Sequence, residues 1–230
     1  LTRVLAGPLC TMILADLGAE VVKVEHPDGG DDSRGFGPFL DTGTSVYFAA
    51  VNRGKRSITL DLKSATDRDT LLALARQADV LVENFRPGTM KKLGLDAKTL
   101  KVGNPGLIYA AISGFGASGG APQTPAYDGI IQALSGLMSV TGHDPAHPAR
   151  VGVSIADILS GLYTAIGILA SFRARDRSGT GTDLDMSMLD CTVASLENVI
   201  DRFSATGEVP GPLGTRHPAI TPFQAFDAAD

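Results

Sequence analysis

From Val151 to Phe172 the chain carries one charge, on Asp157. A run this apolar folds either across a membrane or into a protein core. Its uninterrupted part, Ile158 to Phe172, is 15 residues long, short of the roughly 20 that span a bilayer. Ser160, Gly161, Thr164 and Gly167 dilute its hydrophobicity further. A buried core helix is the expectation, entered through the turn around Gly152 and closed by a charged end, Arg173 to Arg177. The acid at its mouth has two readings. With Ser154 at the N-cap, Asp157 falls at the third helical residue, the spacing of a capping box, and serves only to tie off helix amides. Alternatively, a carboxylate at a positive helix end in apolar surroundings serves as a nucleophile. Spacing alone leaves both open.

The rest of the chain alternates between short apolar runs and amphipathic segments. Gly7-Pro8 opens a helix over Leu9–Leu17, because proline loses nothing in a first turn. Strands are expected at Ala19–Glu25, Ser57–Asp61, Asp79–Glu83, Leu107–Ser113 and Asp183–Ser187. Helices are expected at Tyr47–Ala50, Ser64–Ala78, Met90–Leu93, Ala97–Leu100, Asp128–Met138 and Met188–Phe203. His26 to Thr44, rich in Gly, Asp and Pro, reads as a long surface loop. Ser204 to Arg216 reads as a Gly/Pro linker, and Pro218 to Asp230 as the first strand of a further unit. This order predicts an α/β fold on a Rossmann-like, largely parallel sheet flanked by helices, with its opening strand before Leu1. Ligands in such folds sit beyond the carboxyl ends of strands. Glu25-His26, Asp61–Lys63, Asn84–Arg86 and Gly114–Gly116 therefore share one expected crevice.

Composition narrows the partners. The net charge is 20 − 25 = −5 and the pI about 5.3, which argues against a nucleic-acid binder. Hydrophobic residues make up 43%, enough for one large domain or one and a half. Cys10 and Cys191 give no disulfide framework, and a reducing cytoplasm is expected. The chain begins at Leu1 rather than Met, which leaves room for a mitochondrial or peroxisomal targeting segment upstream. Several motifs fail on context. Gly116-Ala117-Ser118-Gly119-Gly120 matches a nucleophile elbow, but Pro122 and Pro125 forbid the helix that must follow. Pro145 breaks the alignment of His143 with His147, so no metal site is expected. There is neither G-x-G-x-x-G nor a Walker loop. Cys10, in an apolar helix, reads as an inert core thiol.

A set of stretches, in order along nearly the whole chain, resembles the family III CoA-transferases (CaiB/BaiF). These are Ala6-Gly7-Pro8, Leu17 to Glu25, Asn52 to Ile58, Asp79 to Gly88, Ser113 to Gly116, Tyr127-Asp128, Ser135 to Met138 and Val153 to Asp157. The family includes formyl-CoA transferase, carnitine CoA-transferase and the 2-methylacyl-CoA racemases. The resemblance implies that Asp157 is catalytic. It attacks an acyl-CoA, and CoA moves to a carboxylic acid through an aspartyl mixed anhydride and an aspartyl-CoA thioester. An ordinary aspartate, with a pKa near 3.9, is fully ionised at pH 7, and needs desolvation and nearby amides to become nucleophilic.

The resemblance also places CoA contacts at Leu5, Ala6, His26, Leu60, Lys63, Asn84, Phe85, Arg86, Lys92, Thr124 and Tyr127. Lys63, Arg86 and Lys92 are the cations suited to phosphate. Two positions depart from formyl-CoA transferase, which has Gln in place of Leu5 and Arg in place of His26. The racemases place a base, His, where Tyr127 stands, and a phenol near pKa 10 is a poor base at pH 7. Transferase chemistry is the first expectation, with a racemase or a catalytically incompetent fragment as alternatives. CoA and acyl-CoA are expected as substrates, with no permanently bound cofactor and no metal. The implied domains are a large CoA-binding unit over 1–188, a helix and linker over 189–216, and the start of a small domain over 217–230. An interlocked homodimer is implied for the full-length protein, with no nucleic acid and no membrane as partner.

Overall fold

A computed structural model describes residues 1–118 and 124–229. Helix α1 (Ala6–Asp16) leads into strand β1 (Val21–Glu25), a 3-10 turn at Asp32–Gly35 and α2 (Val46–Asn52). Then come β2 (Lys55–Thr59), α3 (Ala65–Ala75), β3 (Val80–Glu83), α4 (Thr89–Lys92), α5 (Ala97–Gly103) and β4 (Ile108–Ser113). The second half holds α6 (Asp128–Leu134), α7 (Leu137–Val140), α8 (Ile155–Ser178), β5 (Asp183–Ser187), α9 (Met188–Val193) and α10 (Val199–Thr206). Side-chain caps fix several starts: Ser45, Ser64, Asp96 and Ser187 each accept an amide two or three residues into the helix that follows.

Every strand pairing is parallel, as the alternation of elements predicts, and the strands form two groups. β1 pairs with β2, and β3, β4 and β5 pair in that order. Residues Leu1 to Arg3 run between the groups. The Leu1 amine donates to Val82 O at 3.0 Å, and Lys23 Nζ donates to Thr2 O at 2.8 Å. One core lies between α1, α8, β4 and β5 around Cys10, Ile108, Ile112, Ala165 and Ile168. The other covers the opposite face of β3 and β4 with α3 and α5, around Leu71, Leu95, Leu100 and Leu107.

Several boundaries differ from the sequence expectation. β2 starts two residues early, because Lys55 is drawn inward by Pro8 O, Val51 O and Asn52 Oδ1. The helix expected over Asp128–Met138 breaks at Gly136, whose φ of 86° is left-handed. The one expected over Met188–Phe203 breaks near Glu197, also at positive φ. The loop expected at the surface over His26–Thr44 instead buries Asp31 and Ser33. Residues 217–229 form no strand, since no neighbouring strand among the described residues offers them a ladder.

Helix α8 packs against α1, α6, α9, β4 and β5. It runs for 24 residues, because Arg173 to Arg177 continue the helix rather than end it. By length and composition it is long and apolar enough to cross a membrane. Its buried face is a row of small residues, Ala156, Ser160, Gly161, Thr164 and Ala165, while Leu162, Ile166 and Leu169 face outward. The small face lets α1 approach closely. A Cβ on Gly161 would lie 2.8 Å from Ala6 O, inside van der Waals contact with backbone. Gly161→Ala is therefore expected to force α1 off α8, with a loss of about 1–3 kcal/mol typical of overpacking. Thermal unfolding of Gly161→Ala beside Leu162→Ala, a change on the exposed face, measures it.

Candidate active site

The crossing at Gly161 brings the amino ends of α1 and α8 together. Ser154 occupies the N-cap of α8, but its hydroxyl caps nothing, so the capping box expected from Ser154 and Asp157 does not form. The cap comes from elsewhere in the chain. Buried Asp128, at the start of α6, accepts the Ala156 N–H at Oδ1 (2.8 Å). Its Oδ2 takes Gln132 Nε2 at 2.7 Å, with Arg150 Nη1 at 3.7 Å. Gln132 is fully buried and its Oε1 accepts the Val151 N–H at 2.8 Å. Asp128 and Gln132 thus fix the turn that enters α8, and Asp157 is left with no capping duty.

Asp157 lies partly buried where the two helix ends meet. Burial, and then the charge of Asp128, push its carboxyl up to about 7, with the Ala6 amide pulling the other way. The expectation of a fully ionised aspartate at pH 7 therefore fails, because water is partly withdrawn and a second carboxylate stands close. Tyr47, on the first turn of α2, shares this space. Burial, followed by the charges of Asp157, Asp128 and Asp31, raises its phenol, and its ring meets the edge of Phe36 at 5.6 Å. Sequence reasoning passed over Tyr47, whose visible signal was a tyrosine in a short helical turn. Leu5 and Ala6 form the start of α1 on the other side. Leu5 adds no polar group, and Gly7 is pressed so tightly under Thr2 that a Cβ there would fall 2.4 Å from Thr2 Cγ2.

A cleft of about 410 Å³ opens beyond the carboxyl ends of β1, β2 and β3. It gathers four of the expected contact residues, His26, Leu60, Lys63 and Phe85, with Val24 and Leu93 as further apolar wall. Asn84 stands beside it with its amide engaged, accepting Arg3 N at 2.9 Å and donating to Arg3 O at 2.8 Å. Arg86 and Lys92 are exposed and do not line the cleft. Thr124 and Tyr127 are exposed at the entrance to α6, Tyr127 at 78%. The Gly116–Gly120 motif extends into residues outside those described. Its Ser118 hydroxyl donates to Asp185 at 2.7 Å, an acceptor that is no general base of a hydrolase triad. Cys10 is buried, and its thiol is pushed up to about 12 by burial, as an inert core thiol should be. Among the described residues no cluster of metal-ligating side chains exists.

The chain thus combines a parallel α/β fold, a partly buried carboxylate at a helix mouth and a cleft at the strand ends. The chain belongs to CoA-transferase family III, whose family model matches residues 1–230. It is 48% identical over its whole length to the acetyl-CoA:oxalate CoA-transferase of Acetobacter aceti, covering 59% of that protein. It is 45% identical to the succinyl-CoA:mesaconate CoA-transferase of Haloarcula hispanica, again over its whole length and 60% of the relative. A CaiB/BaiF family protein from Brucella suis superposes with a TM-score of 0.92 at 43% identity, over 97% of this chain and 60% of that one. The chain thus spans about 60% of the length of these relatives.

The raised Asp157 carboxyl has a thermodynamic signature. A folded-state pKa above the unfolded value favours the folded state below the unfolded pKa, and that advantage is lost as pH rises toward about 7. Asp157→Asn should therefore stabilise the protein at pH 8 by on the order of 2 kcal/mol, and hardly at all at pH 4. Denaturant midpoints of the two proteins across that range check the sign.

Proposed function

We propose that the complete protein is a CoA-transferase that moves CoA from an acyl-CoA to a free carboxylic acid, with Asp157 as the covalent group. The observation that carries this reading is the release of Asp157 from capping. A carboxylate used only to finish a helix would accept α8 amides, and Asp128 does that instead. The names of the relatives support the same class of reaction, and the cleft at the strand ends offers an apolar wall with Lys63 and Arg3 as cations, alongside the acids Glu25, Asp28, Asp31, Asp32 and Asp61.

An Asp157 oxygen attacks the thioester carbonyl, the C–S bond breaks, and CoA departs as thiolate from an acyl-aspartyl anhydride. The thiolate then attacks the Asp157 carbonyl, forming aspartyl-CoA and releasing the first acid. The acceptor carboxylate attacks aspartyl-CoA, giving a new anhydride and freeing the thiolate again. Attack of the thiolate on the acceptor's acyl carbon yields the new thioester and restores Asp157. In this reading the Ala6 amide, near Asp157, steadies negative charge on the tetrahedral oxygen, and Tyr47, whose phenol feels the Asp157 charge, is assigned as a second donor.

Tyr127, exposed at the position where a racemase has its base, supports transfer over racemisation. An interlocked homodimer and a cytoplasmic location belong to the same reading. Asp157→Ala in the complete protein should lower transfer by at least 10⁴-fold, a scale set by loss of a covalent group. Incubation with acyl-CoA and a panel of carboxylic acids, followed by mass spectrometry, should show new thioesters and a mass adduct on the Asp157 peptide. Solvent exchange of the α-hydrogen without a new thioester would establish the racemase instead, and neither reaction would leave an inactive piece.

A further inference from the structure

We infer that Asp31 is a positioning residue for the transfer reaction: through the Val4 N–H it holds Val4 in a left-handed turn, and that turn aims the first amides of α1 at Asp157. The inference rests on the reading of Asp157 as the covalent group.

Val4 has φ of 64°. A β-branched residue avoids this region, and such conformations persist only where their surroundings impose them. Three side chains impose this one, each gripping one residue of the segment that leads into α1. Lys23 Nζ takes Thr2 O at 2.8 Å. Asn84 bonds both the N–H and the carbonyl of Arg3. Asp31 Oδ1 accepts the Val4 N–H at 3.0 Å. Asp31 is itself immobilised. It pairs with Lys23 at 2.7 Å, the two side chains 1% and 3% exposed, and accepts the Ser33 amide and hydroxyl at 2.9 and 2.7 Å. Its own N–H donates to Glu25 Oε2 at 3.0 Å, and Arg34 clamps Glu25 through two 2.7 Å bonds.

A buried ion pair adds little net stability compared with an apolar packing of the same space. Its use here is conformational. From Val4 the chain goes directly into Leu5 and Ala6, and the Ala6 carbonyl packs against Gly161, one helical turn past Asp157. Were Val4 to relax to negative φ, the first turn of α1 would swing while the body of the helix stayed packed.

The test is a paired removal and rescue in the complete protein. Lys23→Met with Asp31→Ala deletes the clamp without stranding a buried charge. The expected result is a fall in kcat of at least tenfold, read apart from any change in KM for acyl-CoA, since Asp31 also lines the cleft. Adding Val4→Gly should recover at least threefold of kcat, since glycine keeps the left-handed turn unaided. Unchanged kcat, or a loss that tracks Tm and ignores Val4→Gly, overturns the inference. Should the double variant fail to fold, Val4→Pro in the otherwise unaltered protein replaces it, because proline forbids positive φ; the same tenfold fall is expected, and unchanged kcat overturns the inference. Amide exchange of Val4, Leu5 and Ala6 reads the clamp without turnover. Exchange at least tenfold faster in the double variant supports the clamp even if the wild type transfers no CoA, which would sink only the functional reading. Unchanged exchange overturns the clamp.

Discussion

Asp128 accepts the Ala156 N–H, and much of the site is arranged around that bond. A helix entering an apolar core must satisfy its first amides, and the nearest acid in the chain, Asp157, would do so by default. Because Asp128 arrives from α6 to take the role, Asp157 stands partly buried and free of capping. The two acids are then pulled apart in character. One is tied to an amide, the Gln132 side chain and a nearby arginine, while the other feels burial and its neighbour's charge. Separation of two carboxyl groups by environment is how one fold assigns them different tasks.

Gly161 makes the second half of this arrangement possible. It stands one helical turn after Asp157, so both lie on the same side of α8. The backbone of α1 fits against it with no room for a methyl group. The same contact that joins α1 to the core therefore also sets the distance from Ala6 to Asp157. Stability and site geometry are coupled through one missing side chain.

Local features of this chain were legible in its residues, and long-range ones were not. Asp157 stood out because it is the one charge in a long neutral run, and β5 was bounded correctly because it alternates cleanly from Asp183 to Ser187. The crevice at the strand ends followed from topology in part: it gathers His26, Leu60, Lys63 and Phe85, while Asn84, Arg86 and the expected Gly114–Gly116 turn do not line it. The spacing could not decide between capping and catalysis because a sequence displays only near neighbours, while the true cap lies 28 residues away. Asp31 was lost for the same reason. In a stretch of Gly, Asp and Pro it looks like solvated loop, and only its pairing with Lys23 across the fold makes it core. Tyr47 carried no pattern that separates a site residue from a packed one.

With Asp157 as the proposed covalent group, its raised carboxyl bears on how an aspartate exchanges places with a thiol. An ordinary carboxylate, near 3.9, is a far weaker base than a thiolate of about 8.5. Its attack on a thioester therefore runs uphill, with the thiolate the stronger nucleophile on return. A raised Asp157 carboxyl narrows that gap, and the thiolate keeps the advantage it needs to attack the proposed anhydride. Partial burial and a neighbouring negative charge, which look unfavourable for an acid, then bring the two leaving groups closer to balance. Reversible exchange of CoA between acids requires that balance, because neither side of the reaction supplies another source of energy.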